Sequence, residues 1–184
     1  MIGAMSLGFS SMVGFDFHPD LDRMETLKTL PIRPVPLVLG QLFVPTMILT
    51  VAQWIAIGVT ASIFRVEPTL LVTGCLILVP VNALLIEIEN LFFLWYPIRL
   101  GAGNSADFQT MGRVMLLMMA KFTCVGIGAT AAVAIGAGCF FLFGESWTAA
   151  VASGWIVIAL FALSLVPLVA QAFTHFDVSR DLPE

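Results

Sequence analysis

Charged residues are scarce in this chain, and several familiar types of site are missing. Only 11% of the 184 residues are charged, against about 25% in soluble domains. The eight basic residues are too few and too scattered for a nucleic-acid surface. No GxxxxGKS or GxxxxGKT sequence is present to cradle nucleotide phosphates, and HExxH and a nucleophile elbow are also absent. The three cysteines show no CxxC spacing and have no neighbouring histidine, so we expect no disulfide framework, metal or other cofactor.

The acidic residues give little support to catalysis. All aspartates lie outside the long apolar stretches, and the only close acidic pair near a stretch is Glu87 and Glu89. Two residues apart, these carboxylates face different sides of a helix. We therefore predict that the chain is not an enzyme. The enzymatic alternative is a lipid-modifying activity that depends on Glu87 or Glu89.

Long apolar stretches make up most of the sequence, and the mean hydropathy is +1.01. Each of four stretches reaches or exceeds the ~18 residues that a helix needs to cross ~30 Å of hydrocarbon. They cover residues 37–64, 69–86, 114–143 and 147–173. The sequence predicts an all-α integral membrane protein with four transmembrane helices in a transmembrane domain over residues 37–173.

Basic residues lie mainly on one side of these stretches. Only Arg65 flanks the other side. The six basic residues on the first side are Arg23, Lys28, Arg33, Arg99, Arg113 and Arg180. The positive-inside rule predicts that residues 15–36, the loop 97–113 and the tail 174–184 are cytoplasmic. The two outer connections, residues 65–68 and 144–146, are too short for an extracellular domain.

The first 14 residues are apolar but too short to cross a bilayer. They lack the basic start and the cleavage site of a signal peptide. We expect a partial apolar helix over residues 1–14, interpreted as the cytoplasmic end of a span in a longer permease. The alternative is a partial helix lying at the interface.

A short amphipathic helix is predicted over residues 20–30, DLDRMETLKTL. Its leucines and methionine recur every three residues and form one apolar stripe. Asp20 is the expected N-cap, and the prolines that begin at Pro31 end the helix. Such a helix either lies on the lipid headgroups or docks a protein partner. Mixed charge on its polar face favours a protein, because helices that seek lipid are usually rich in Lys and Arg.

The stretch leading into the first span reads FDFHPDLDRMETLKTLPIRPVPLVLGQLFVP. It resembles the cytoplasmic segment and following helix of ABC-2-type transporter permeases, in which an LPI-containing stretch precedes a span. Three later segments make an ordered series similar to a group of bacterial ABC exporters, and they read IEIENLFFLWYPIR, DFQTMGRVMLLMMAKF and FDVSRDLPE. The resemblance covers about residues 15–184. The LPI stretch alone is much less specific than the series.

The resemblance implies the permease subunit of an ATP-driven exporter in a bacterial cytoplasmic (inner) membrane. A separate ABC ATPase subunit would hydrolyse ATP and push on the cytoplasmic helices. The docking contacts would be Asp20, Arg23, Glu25 and Lys28. Membrane lipids, and a homodimer or second permease chain that supplies further helices, are the other implied partners. The alternative is a membrane scaffold or assembly protein that uses the same helices only for packing.

Several polar and small residues lie inside the predicted spans. Lys121 lies in the third, and we predict an ion pair between Glu87 and Lys121, with Glu89 as the alternative partner. The other alternative is that Lys121 snorkels to the cytoplasmic headgroups. Gln41, Gln53 and Asn82 line a substrate path or form interhelical hydrogen bonds. A small-residue face for close helix packing is predicted at Gly126, Gly128, Gly136 and Gly138.

Overall fold

The computed structural model describes residues 34–64, 66–95 and 108–176. Four long helices fill these ranges, and no strand occurs within them. The helices are α1 (Pro34–Ile63), α2 (Pro68–Trp95), α3 (Phe108–Leu142) and α4 (Trp147–His175). All four are long and apolar enough to cross a membrane. The predicted all-α class with four such helices is confirmed for this part of the chain.

Two helices, α2 and α3, extend well beyond the apolar stretches of the sequence. The second predicted span ended at Ile86, but α2 continues to Trp95. The acidic residues that ended the apolar stretch do not end the helix, because Glu87 is buried and Glu89 has a basic partner. Similarly, α3 begins at Phe108 instead of residue 114. The expected helices over residues 1–14 and 20–30, and the tail beyond residue 176, lie outside the described residues.

A tight turn joins α3 to α4. Gly144 has φ of 67°, a left-handed conformation that glycine adopts without a steric penalty. The Glu145 N–H donates to Phe140 O at 2.8 Å, which is the six-to-one bond of a Schellman motif. Ser146 then caps α4, because its side chain accepts a hydrogen bond from the Ala149 N–H. These local signals position α3 and α4 as an antiparallel pair.

α4 is the central helix of the bundle and contacts each of the other three. One apolar cluster joins the beginning of α1 to the ends of α2 and α4, through Val38, Leu42, Phe93, Leu94, Phe173 and Phe176. A second cluster joins α2, α3 and α4 around Leu84, Ile88 and Ala162. We call the end where α1 and α3 begin and α2 and α4 end the inner end. The buried residues of α1 stop at Gln53 and those of α2 begin at Leu78, so both helices are buried mainly toward this end.

Small residues bring α3 and α4 into close contact. A methyl group added at Gly136 would lie 3.0 Å from Ala150 O, and one at Gly154 would lie 3.4 Å from Ala132 O. Small side chains at helix contacts let backbones approach in membrane proteins. Gly128 also faces α4, at Phe161, whereas Gly126 and Gly138 face open space. The predicted glycine face is therefore divided between a helix contact and an open surface.

Large apolar side chains cover the outside of the bundle. They are exposed along the helices, as at Phe43, Ile55, Phe122 and Leu160. Soluble monomers rarely expose contiguous apolar patches larger than a few hundred Å², whereas the hydrocarbon of a bilayer accepts such a surface. The exposed apolar faces and the four candidate spans together indicate a multi-pass membrane protein.

Candidate functional site

Buried polar side chains lie on the inner half of α2. Side chains of this half form hydrogen bonds with α1 and an ion pair with α3. Asn82, Glu87 and Asn90 are each at most 4% exposed. Polar groups inside a bundle surrounded by hydrocarbon are costly unless they are paired, and they are common at functional sites of membrane proteins. This polar half of α2 is therefore the candidate site.

Asn82 links α2 to α1. Its Nδ2 donates to Thr50 Oγ1 at 3.0 Å and to Gln53 Oε1 at 2.7 Å. Thr50 Oγ1 in turn donates to Thr46 O, so the hydroxyl acts as both donor and acceptor. Asn82 Oδ1 is buried and has no hydrogen-bond partner among the described residues. Of the two roles expected for Gln53 and Asn82, the structure shows the interhelical hydrogen bond, while Gln41 is half-buried.

Lys121 joins α3 to α2 through an ion pair with Glu89, and not through the predicted pair with Glu87. Lys121 is fully buried, so its ammonium group does not reach the headgroups. Glu87 and Glu89 are about 200° apart around the helix axis. Only one of them can therefore face α3, and the rotation of α2 in the bundle selects Glu89. That rotation depends on the packing of all four helices, which the spacing along the chain does not reveal.

Glu87 remains without a charge partner in the described part of the chain. Its side chain is 4% exposed, and its Oε2 has no hydrogen-bond partner there. Asn90, one turn further along α2, donates from Nδ2 to Ile86 O at 2.8 Å. Leu84 and Leu94 lie three residues before and seven residues after Glu87, on the same face of α2. Both belong to apolar clusters shared with α4, so Glu87 lies on the seam between α2 and α4.

A proline in α2 removes the helical hydrogen-bond donor of one backbone carbonyl, and a tryptophan on α4 supplies a donor instead. Pro80 has no N–H, so the carbonyl four residues earlier, Leu76 O, loses its helical donor. The indole Nε1–H of Trp155 donates to Leu76 O at 3.0 Å. A second indole, from Trp54 on α1, donates to the adjacent Cys75 O at 2.9 Å. The backbone of α2 next to Pro80 is thus held from two sides.

An open cleft of about 470 Å³ lies at the inner end of the seam between α2 and α4. Its lining from α2 is Leu94 and Trp95, and its polar lining from α4 is Gln171 and His175. Leu94 is two helical turns beyond Glu87 on one face of α2, or about 10 Å along the axis. The cleft and the buried carboxyl therefore share one seam.

The remaining predicted residues are placed as follows. The docking residues Asp20, Arg23, Glu25 and Lys28 lie outside the described residues. The three cysteines are free and half-buried in the helices. No group of three metal-binding side chains occurs among the residues that the structure describes.

Trp54 and Trp155 were missed by sequence reasoning. Pro80 indicates a free carbonyl at residue 76, but nothing in the spacing shows which donor fills it, since Trp155 lies 79 residues away. No family model, no curated protein and no solved structure matches this chain.

Proposed function

We propose that the chain is the transmembrane permease subunit of an ATP-driven ABC-type exporter in a bacterial cytoplasmic membrane. A separate ATPase subunit would bind on the cytoplasmic side and supply the energy. The observation that carries the proposal is the ordered series of ABC-2-like segments around four helices that are long and apolar enough to be spans.

The positions of these segments relative to the helices support the proposal. The docking segment, residues 20–30, precedes α1, and IEIENLFFLWYPIR overlaps the end of α2. The third segment overlaps the start of α3, and FDVSRDLPE follows α4. In the antiparallel bundle, each of these helix ends lies at the inner end. A partner bound there would be near the four helix ends that adjoin these segments, which is the arrangement that mechanical coupling needs.

The bundle offers a route for force from that partner. Apolar contacts at the inner end join α1, α2 and α4 into one unit. A push on the segment before α1 would reach α2 through the Asn82 hydrogen bonds and α4 through the cluster around Val38. In this mechanism ATPase closure moves these helices together and alternates access to the substrate. In this proposal the inner end and the C-terminus both lie in the cytoplasm.

A co-purification experiment tests the proposal. The chain, tagged at its C-terminus, is purified in mild detergent from its native host, and bound proteins are identified by mass spectrometry and assayed for ATPase activity. We expect a P-loop ATPase that is lost when Arg23, Glu25 and Lys28 are reversed in charge. The matched control is Glu67→Lys, an exposed charge reversal at the opposite end of α2, which should retain the ATPase. An intact preparation without any ATPase would contradict the proposal.

The second candidate is a membrane scaffold or assembly protein. It is favoured by one observation, the hydrogen bond from Asn82 on α2 to Gln53 on α1. Polar residues used in this way stabilise a static bundle as well as a moving one. A scaffold would co-purify with membrane proteins other than an ATPase, and it would tolerate the charge reversals along residues 20–28.

A further inference from the structure

We propose that Glu87 is a proton-binding site within the membrane, reached from the inner end along the seam between α2 and α4. Proton uptake converts the carboxylate to a neutral carboxylic acid. The proton comes from water at the inner end, forms an O–H bond at the carboxyl group and returns to water when it leaves. This role does not depend on the ATPase partner.

The burial of Glu87 is the first argument. Taking an ionised carboxylate out of water is very costly unless a cation or several donors compensate it, and such a group takes up a proton instead. Glu87 is 4% exposed, and its Oε2 has no hydrogen-bond partner among the described residues. Lys121, the nearest candidate cation by sequence, is used by Glu89. The same helix therefore carries one compensated carboxylate and one that needs a proton.

The depth of Glu87 supports the same conclusion. α2 has 28 residues, a length of about 42 Å at 1.5 Å per residue. With the midpoint of α2 at the bilayer midplane, Glu87 lies about 8 Å from that plane, which is inside the ~15 Å half-thickness of the hydrocarbon. Its charge would therefore be surrounded by protein and lipid, with the nearest water at the inner end.

The cleft supplies the route. It opens at the inner end of the seam that contains Glu87 and is lined by Gln171 and His175. Histidine side chains accept and release protons, and amide groups hold water molecules that pass them on. Leu94 separates the cleft from Glu87 by two helical turns on the same face. A small separation of α2 from α4 at Leu94 would connect the carboxyl to water, and closure would seal it again.

A proton fits this position better than a metal ion. Hard cations such as Ca²⁺ and Mg²⁺ take several oxygen ligands. No group of three metal-binding side chains occurs within the described residues.

The other ionisable groups on the inner halves of the helices are Glu89 on α2, Arg113, Lys121 and Cys124 on α3, and His175 on α4, while α1 has none.

Infrared spectroscopy tests the proposal on the full chain in lipid nanodiscs. A protonated carboxyl group has a C=O stretching band that is distinct from the bands of a carboxylate. We expect one such band to persist at a pH at which exposed carboxyl groups are already ionised, to disappear as the pH rises further and to be absent in Glu87→Gln. The matched control is Glu67→Gln, which removes an exposed carboxyl group just before α2 and should leave the band unchanged. Spectra without a Glu87-dependent band at any pH would overturn the proposal.

A chemical probe on the wild-type chain removes any dependence on how the variant folds. Dicyclohexylcarbodiimide enters the lipid phase and adds to protonated carboxyl groups, where it forms a stable N-acylurea. Peptide mapping should place the adduct on Glu87 and not on the ion-paired Glu89, with less adduct as the pH rises. Labelling of Glu89 in preference to Glu87 would contradict the proposal.

Discussion

At the residue scale, the pair formed by Lys121 and Glu89 fastens α3 to α2 inside the bundle. α3 packs mainly against α4, and this ion pair, together with the apolar cluster around Leu84 and Ile88, holds α3 against α2. Removing one member of a buried ion pair leaves the other uncompensated, and the resulting loss is larger than the net stabilisation by the intact pair. The pair is therefore a sensitive point of the fold, whether or not it takes part in transport.

We expect Lys121→Met to lower the free energy of unfolding by about 3 kcal/mol, because Glu89 loses its ion pair with Lys121. Glu89→Gln added to Lys121→Met should restore most of the loss. Unfolding by sodium dodecyl sulfate in mixed micelles, followed by circular dichroism, measures both variants. The control is Glu87→Gln added to Lys121→Met, which should restore nothing. If that control restores stability as well as Glu89→Gln does, the assigned partner is wrong.

At the element scale, α2 receives hydrogen bonds from its neighbouring helices close to Pro80. We expect Trp155→Phe to lower the free energy of unfolding by about 1 kcal/mol, because Leu76 O loses its hydrogen bond. In a Pro80→Ala background, the new N–H at residue 80 donates to Leu76 O, and Trp155→Phe should then have almost no effect. A double-mutant cycle with the same unfolding assay measures this coupling.

Trp54→Phe is the control for that cycle. Trp54 donates to Cys75 O, whose helical donor at residue 79 is not removed by the proline. Its effect on stability should therefore be the same whether residue 80 is proline or alanine. Equal effects of Trp155→Phe in both backgrounds would mean that the indole does not replace the missing helical donor.

The contact of α3 with α4 gives a second prediction at this scale. Gly136→Ala should destabilise the chain by about 1–3 kcal/mol, because the added methyl group meets Ala150 O at 3.0 Å. Gly138→Ala, on the same helix, meets nothing within 4 Å. It should be neutral or stabilise the chain by up to about 1 kcal/mol through helix propensity. Thermal unfolding of the two variants side by side distinguishes them, and equal losses would contradict the close contact.

Hydropathy predicts the helices because each span is continuous in sequence, and the turn at Gly144 is equally local. Features that depend on rotation of one helix against another could not be predicted. Glu87 and Glu89 were both candidates for Lys121, and the choice follows from the orientation of α2 in the bundle. The division of the glycines of α3 between α4 and open space has the same cause.

At the scale of the whole molecule, the antiparallel bundle makes a prediction about orientation. With the inner end in the cytoplasm, the turn between α3 and α4 faces the outside of the cell. Glu145→Cys, with Cys75, Cys124 and Cys139 replaced by Ala, should react with a membrane-impermeant maleimide added to intact cells. A cysteine placed after Glu184 should react only after the cells are opened. The reverse pattern would place the ABC-2-like segments on the wrong side for an ATPase.

The central position of α4 also has a consequence for biogenesis. The ribosome makes a chain from its amino terminus, so α1, α2 and α3 reach the bilayer before the helix that packs against all of them. Until α4 arrives, α3 lacks the neighbour that its glycines fit, and both apolar clusters are incomplete. The bundle therefore completes its packing only after α4 has been made, and a three-helix intermediate would be exposed to membrane proteases until then. Translation rate and proteolysis, as much as equilibrium stability, would then set how much of this protein a cell keeps.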